Sequence, residues 1–340
     1  IQFPDRDRRG SGPSSDGMFR FDDIHEALKT AAKAGASMVH VKPGLPPLVR
    51  LDGGLYPLLN FPRFRPETVD RMASSLMGKR ERERFRERGE VGFIHGAPGL
   101  GRCRVMAYEA NEMTTLSIKV IGYGVPSPDF LGLPPSLADS ALERGGLILV
   151  SGPSDGGKST TCASLVDHIN GRLSRHIVTL EQHVEHVFRD KKSLVNQRSM
   201  DTFFSGRVSF SEAVRGLPFI DADVVYLSGE ESFEVMESAL HLAHGGKLVI
   251  YSVEASSVDQ ALMKIVFTFA PYEREQAALR LSETLLVASW QCLVPRARGT
   301  GRVPAFELVP NGPAAREAMR ETKLHELPAL IEQGGPGGMK

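Results

Sequence analysis

The stretch Gly152-Pro-Ser-Asp-Gly-Gly157-Lys158-Ser159 decides the fold of the C-terminal part of this chain. It matches the pattern G-x-x-x-x-G-K-[ST], in which backbone N–H groups at the start of a helix surround phosphate groups. The apolar run 147–150 before it predicts a buried strand, and residues 159–169 after it predict an amphipathic helix. Because strand and helix are both in place, a phosphate-binding loop is favoured over a glycine-rich turn without a ligand.

The motif gives each of its residues an expected role toward a nucleotide. Lys158 is expected to contact the β and γ phosphate oxygens, and the hydroxyl of Ser159 to coordinate the Mg²⁺ of the nucleotide. Gly152, Gly157 and Thr160 complete the expected nucleotide-binding set. Ser159 is the predicted metal-binding residue, and it would act through the bound nucleotide.

Three further apolar runs follow the loop. Residues 177–180, 224–227 and 248–251 predict strands that alternate with helical stretches. Such alternation is typical of a parallel sheet covered by helices on both faces. Residues 136–338 are therefore expected to form one α/β domain.

The residues before this domain, 18–121, predict a smaller α+β domain. Its predicted elements are helices 21–34 and 66–77, strands 38–41 and 48–51, and several strand-like runs within 91–121. Residues 122–135 are rich in glycine and proline, which is the composition of a linker. Residues 1–17 are rich in Arg, Asp, Ser, Gly and Pro without an apolar segment, and we expect a disordered leader there.

The charge of the chain is balanced, since Lys plus Arg and Asp plus Glu both number 41. This argues against a generally basic surface for nucleic acid. The run 79–88, KRERERFRER, alternates in sign, which is more often a solvated helix face than a nucleic-acid patch.

No apolar run reaches the roughly 20 residues that cross a bilayer, so no transmembrane segment is expected. The three cysteines have no metal-ligand spacing, which fits a reducing cytoplasm.

Segments outside the loop resemble a single protein family. They are Ser37-Met-Val-His40, GLPPLVRLDG at 44–53, Leu194-Val-Asn-Gln-Arg198, Phe210-Ser-Glu-Ala213 and AAREAMRE at 314–321. In this order, and together with the phosphate loop, they are similar to the type IV pilus retraction ATPase (PilT) family. The resemblance extends from about residue 20 to 338.

The resemblance implies a PAS-like N-terminal domain joined to a RecA-like ATPase domain. It also implies a hexameric ring, either of this chain alone or with other PilT-type subunits, and ATP with Mg²⁺ as cofactors. The implied partner is an inner-membrane platform protein of a pilus or secretion system. The expected location is the cytoplasm, with peripheral attachment at the inner membrane.

The chain departs from the family pattern where chemistry is expected. The changed positions are Glu112, Asp155, Gln182, Gly229, Glu231 and Glu254. Glu112 and Glu231 stand where the family has arginines, Glu254 replaces a histidine, and a further basic position is kept as Lys119. Most of these changes make the cleft more acidic. Two like charges at ~4 Å repel by about 4 kcal/mol at an effective dielectric constant of ~20, so weakened nucleotide binding is expected.

The position of the catalytic glutamate depends on how the segment after Asp223 is aligned with the family. An ungapped alignment from Asp223 to Glu254 places Gly229 where that glutamate belongs. A one-residue bulge would place Glu230 there instead. Glu230 and Glu181 are therefore the catalytic candidates only if the protein is active.

These departures favour a weak or inactive ATPase with a structural or regulatory role in a pilus or secretion machine. Two alternatives stay open. One is an active pilus retraction motor that hydrolyses ATP with Glu181 and Glu230. The other is a switch that binds nucleotide without turnover.

Overall fold

The computed structural model of the protein describes residues 22–51, 53–97, 101–121, 124–200, 208–298 and 301–333. The predicted leader, 1–17, lies outside these residues, as do residues 122 and 123 of the predicted linker. The described chain forms two sheets with their helices, one in the N-terminal half (22–121) and one in the C-terminal half (124–333). The predicted fold class is confirmed: a sheet with a parallel core, preceded by a smaller domain of strands and helices.

The described residues of the N-terminal half contain six strands in one antiparallel sheet. They are β1 Met38–Val41, β2 Leu48–Leu51, β3 Gly54–Pro57, β4 Glu90–Ala97, β5 Gly101–Ala110 and β6 Met113–Ile121, in the order β3-β2-β1-β6-β5-β4. Helices α1 Asp22–Lys33 and α2 Pro66–Leu76 bury Leu28, Val69 and Met72 in the core that they share with this sheet. Apolar side chains at helical spacing therefore attach both helices.

Helix α3, Lys79–Arg88, contains the alternating charges. None of its residues is buried, and the ring of Phe85 packs against the edge of the N-terminal core. The prediction of a solvated helix is confirmed. Gly89 ends the helix in a left-handed conformation, which glycine adopts without strain.

A two-residue turn joins β5 to β6. Ala110 pairs with Met113, and the residues between them, Asn111 and Glu112, have φ angles of 52° and 60°. Two consecutive positive φ angles are typical of the type I′ hairpin turn, whose twist matches that of the strands. Glu112 therefore lies exposed at the tip of this hairpin.

The described residues of the C-terminal half contain seven strands in one sheet. They are β7 Gly146–Gly152, β8 His176–Glu181, β9 Leu194–Ser199, β10 Val224–Ser228, β11 Leu248–Glu254, β12 Leu285–Pro295 and β13 Arg302–Pro310, in the order β13-β12-β7-β11-β10-β8-β9. All neighbours pair in parallel except β13, which is antiparallel to β12. This edge differs from the predicted parallel sheet, because a short hairpin connection suffices between antiparallel strands.

Helices cover both faces of this sheet. In chain order they are α4 Pro128–Leu131, α5 Pro135–Ser140, α6 Lys158–Arg172, α7 Phe210–Arg215, α8 Phe233–His244, α9 Val258–Phe267, α10 Arg274–Thr284, α11 Pro313–Arg320 and α12 Leu327–Gln333. Helix α6 packs on one face, and α8, α9 and α10 pack on the other. Strand β7 is buried along its whole length, so its carboxyl end is rigidly placed. Helix α4 lies within the predicted linker.

No helix in the described part of the chain has both the length and the apolar character needed to cross a bilayer.

Candidate nucleotide-binding site

The phosphate loop leaves the carboxyl end of β7 and enters α6. Gly152 lies so close to β12 that a Cβ atom there would overlap the carbonyl oxygen of Gln291. Gly157 is the N-cap of α6 with a φ of 86°, where other residues would be strained. Helix α6 begins at Lys158, one residue before the predicted start at Ser159. The glycines therefore leave a cradle of bare backbone that side chains would fill.

Gln291 of β12 supports the loop from the neighbouring strand. Its Nε2 donates to the carbonyl of Gly156 at 2.8 Å, while its buried Oε1 has no hydrogen-bond partner in the described structure. The sequence analysis missed this residue. Its signal is an amide in the middle of the largely apolar run 285–294, where a buried polar group needs a partner.

Lys158 is folded back over its own loop. Its Nζ donates to the carbonyls of Gly152 at 3.0 Å and Pro153 at 2.8 Å, and lies 3.7 Å from Oε1 of Glu254. Burial lowers the pKa of the lysine, and the carboxylates of Glu254 and Glu231 act in the opposite direction. The ammonium group that this motif directs at phosphate thus has partners within the chain.

Ser159 and Thr160 lie in the first turn of α6 and are partly exposed. The N–H groups of a first turn have no partner within the helix, and the helix dipole favours anions there. The cradle therefore suits a phosphate chain. Among the described residues, no three His, Cys, Asp or Glu side chains converge on a metal site. Mg²⁺ brought by a nucleotide and bound by the Ser159 hydroxyl needs no such cluster.

Asp155 occupies a loop position that needs a left-handed backbone, with a φ of 58°. Aspartate tolerates this conformation better than most residues other than glycine. Its side chain is 67% exposed and lies 3.7 Å from the Nζ of Lys119 on β6. The nearby ammonium group offsets part of the negative charge that Asp155 adds to the loop.

Lys119 also joins the two halves of the chain. Its Nζ donates to Oε1 of Glu185 at 2.9 Å, and Arg104 of β5 lies 3.6 Å from the same oxygen. Glu185 is nearly buried, and charge pairs are screened less in such a place than on an open surface. The N-terminal sheet is thus linked to the segment after β8 and, through Asp155, to the phosphate loop.

Glu181, a catalytic candidate, is buried at the end of β8. Its Oε1 accepts hydrogen bonds from Thr179 at 2.6 Å and from Gln197 at 3.2 Å. Burial raises the pKa of this carboxyl to about 7, although these hydrogen bonds and Arg102 lower it. The carboxyl is therefore held by neighbours within β8 and β9.

Gly229 directly follows the end of β10 and has a φ of 97°. A Cβ atom at this position would overlap the Cβ of Gln182, whose N–H donates to the carbonyl of Ser228 at 2.8 Å. Two of the changed positions are therefore in direct contact. On this backbone, position 229 has no room for a glutamate side chain.

The two glutamates after Gly229 differ in their contacts. The carbonyl of Glu230 accepts a hydrogen bond from the Tyr251 hydroxyl at 2.9 Å, whereas its carboxylate forms no hydrogen bond or ion pair within the described chain. The carboxylate of Glu231 pairs with Lys264 and accepts the N–H of Glu254 at 2.6 Å. Of these two glutamates, Glu231 is the one whose negative charge acts to raise the pKa of Lys158.

The phosphate loop and the end of β10 both lie inside a region that matches a known family. The model of the type II/IV secretion system protein family covers residues 111–322. The chain belongs to this family.

Members of this secretion family match nearly the whole chain. It is 33% identical to the type IV pilus retraction ATPase PilT of Pseudomonas aeruginosa, over 94% of this chain and 91% of PilT. It is 28% identical to the type IV pilus ATPase PilU of the same organism, over 94% of this chain and 82% of PilU. The crystal structure of the retraction motor PilT with bound ADP superposes with a TM-score of 0.81 at 35% identity, over 92% of this chain and 89% of that one.

A more distant structure shows the fold alone. The ATPase DotB of Legionella pneumophila superposes with a TM-score of 0.80 at 20% identity, over 94% of this chain and 89% of DotB.

In this secretion-family chain, the changed positions form two contacting pairs and two separate sites. They are Gln182 with Gly229, Glu231 with Glu254, Asp155 beside Lys119, and Glu112 at the hairpin tip. The first three sites surround or adjoin the phosphate loop and the strand ends next to it. Glu112 forms no ion pair within the described residues.

Proposed function

We propose that this protein is a secretion-family subunit that binds nucleotide weakly, hydrolyses ATP at no more than a background rate, and acts as a structural or regulatory component. Position 229 carries this proposal. The resemblance to PilT places the glutamate that orients the attacking water there, and Gly229 is packed against Gln182 without room for a side chain. Phosphoryl transfer without an oriented water molecule and without positive charge on the transferred group is slow.

The nucleotide would supply the phosphoanhydride bond, and the chain would supply the phosphate cradle. Gly152, Gly157 and the first turn of α6 offer backbone N–H groups, Lys158 offers its ammonium group, and Ser159 its hydroxyl for Mg²⁺. These residues hold phosphate in place. The positions where the family has arginines carry Glu112 and Glu231, which cannot stabilise negative charge on a transferring phosphoryl group.

The proposed ligands are ATP and Mg²⁺: the loop motif supports both, and the crystal structure of PilT with bound ADP, at 35% identity, supports a nucleotide. We further propose that the chain assembles into hexamers, alone or with PilT-type subunits, and docks on an inner-membrane platform protein from the cytoplasmic side. In a mixed ring, active subunits could supply the missing arginine across an interface.

A nucleotide-binding switch without turnover is the second candidate. The contacts of Lys119 favour it, since they connect the phosphate loop at Asp155 to the N-terminal sheet. Nucleotide binding could then change how the two halves contact each other.

ATP turnover by the purified full chain tests the main proposal. We expect a background rate that Lys158→Ala leaves unchanged, with Pseudomonas PilT assayed in parallel as the positive control. A turnover near one per second by this chain alone, abolished by Lys158→Ala, would establish the motor function instead.

The affinity for the platform protein, measured with and without bound nucleotide, separates the remaining candidates. A purely structural subunit gives the same affinity for the platform protein with and without nucleotide, whereas a switch changes that affinity when nucleotide binds.

A further inference from the structure

A carboxylate lies within ion-pair distance of the phosphate-loop lysine. Glu254 is the last residue of β11 and pairs in register with Gly152, the first residue of the loop motif. Its Oε1 is 3.7 Å from the Nζ of Lys158. In loops of this type the lysine contacts the β and γ phosphate oxygens. Lys158 therefore already has the carboxylate of Glu254 within ion-pair distance.

The backbone at Glu254 is fixed from two sides. Its N–H donates to Oε1 of Glu231 at 2.6 Å, and its carbonyl accepts from the Nζ of Lys264 at 3.1 Å. Lys264 and Glu231 also pair with each other. This arrangement holds the backbone at the end of β11 beside the loop, in the register that places the Glu254 carboxylate near Lys158.

We propose that Glu254 takes the place of the terminal phosphate, so that the site selects nucleoside diphosphates over nucleoside triphosphates. This inference rests on the proposed binding of nucleotide by the loop. A γ-phosphate that reaches Lys158 must come close to the Glu254 carboxylate, and the two groups repel each other. A diphosphate ends one phosphate earlier and avoids this repulsion.

The size of the effect is limited by solvent. The Glu254 side chain is 61% exposed, so water and salt screen its charge. We expect a preference for the diphosphate of about tenfold at low ionic strength. The preference should decrease as salt is added, because the Debye length shortens from ~10 Å at 0.1 M to ~3 Å at 1 M.

The test is a calorimetric titration of the full chain with ADP and with a non-hydrolysable ATP analogue, both with Mg²⁺. In the unaltered protein we expect ADP to bind about tenfold more tightly. Glu254→Gln keeps the size of the side chain and removes its charge, and it should bring the two dissociation constants to within about twofold by tightening the triphosphate. Glu234→Gln, in the first turn of α8, is the matched control and should keep the preference.

Each outcome decides the inference. Equal affinities in the unaltered protein, or a preference that Glu254→Gln leaves unchanged, would overturn it. If the unaltered protein binds neither nucleotide, a gain of triphosphate binding in Glu254→Gln still supports it, and no gain overturns it. The proposed lack of hydrolysis is judged separately, by turnover, and stands or falls on that assay.

Discussion

The buried carboxyl of Glu181 should make the stability of the protein depend on pH. Its pKa is about 7 in the folded protein and near 4.5 in the unfolded chain. The folded state therefore keeps a proton that the unfolded state releases above pH 4.5. Consequently this residue lowers the free energy of unfolding as the pH rises from 4.5 to 7.

Glu181→Gln should remove this dependence, because an amide does not titrate in this pH range. Its oxygen can still accept hydrogen bonds from Thr179 and Gln197. We expect the variant to be more stable than the unaltered protein by about 1–3 kcal/mol at pH 8 and nearly equal to it at pH 4.5. Urea unfolding at both pH values measures this. A stability difference that is the same at both would contradict the raised pKa.

The contact between Gly229 and Gln182 predicts that even alanine at position 229 lowers the free energy of unfolding. Gly229→Ala places a methyl group against Gln182 at a positive φ angle, and we expect a loss of about 2 kcal/mol. Gly171→Ala near the end of α6 is the control, since a Cβ there meets nothing within 4 Å. Thermal unfolding should show the first variant destabilised and the second unchanged or slightly stabilised.

At this scale the sequence predicted what is local in the chain. The loop from Gly152 to Ser159 is one continuous motif, so its residues and their order follow directly. The partners of the loop come from other strands: the family resemblance indicated Glu254, whereas Gln291 was missed. Only the parallel register of β11 and β12 with β7 brings them to the loop.

Among the elements, the hairpin between β5 and β6 carries a residue that fits its conformation poorly. Glu112 has a φ of 60°, where glycine is the preferred residue of a type I′ turn after asparagine. Glu112→Gly should therefore stabilise the protein by about 0.5 kcal/mol. The relief of backbone strain exceeds the cost of ordering a more flexible unfolded chain. Glu112→Ala removes the same charge without relieving the backbone and should give no gain in chemical denaturation.

In the C-terminal sheet, the strands that the sequence predicted are those buried on both faces, since a continuous apolar run marks them. Strand β9, Leu194–Ser199, is an edge strand with no buried residue, and no such run is present. Helix α10 ends at Thr284 and strand β12 begins at the next residue, Leu285. No glycine or proline stands at this junction, so the sequence marks no boundary there. The hydrophobic pattern alone therefore misses β12, the strand whose Gln291 supports the phosphate loop.

For the whole molecule, we propose domains at 18–121 and 136–338 joined by the linker 122–135. The contacts of Lys119 with Glu185 and Asp155 connect them. The sequence could not predict these contacts, because single charged residues in a sequence are usually typical of a solvated surface.

Lys119→Met should loosen this connection, since among the described residues it leaves Arg104 as the one ion-pair partner of the nearly buried Glu185. We expect chymotrypsin to cut the linker at Phe130, which is 83% exposed, about fivefold faster than in the unaltered protein. Lys29→Met is the control, because Lys29 pairs with Glu26 on the exposed face of α1 and forms no ion pair with the C-terminal half in the described structure. Equal cleavage rates in all three proteins would show that Lys119 does not hold the domains together.

The packing of Gly229 on Gln182 also has an evolutionary consequence. A single base change can convert a glycine codon into a glutamate codon, yet the new side chain would find its space occupied. Under the proposed function, a glutamate at position 229 could serve catalysis only if the segment after Ser228 also moved away from Gln182. The glycine at this position is therefore difficult to replace by a working glutamate in a single mutation.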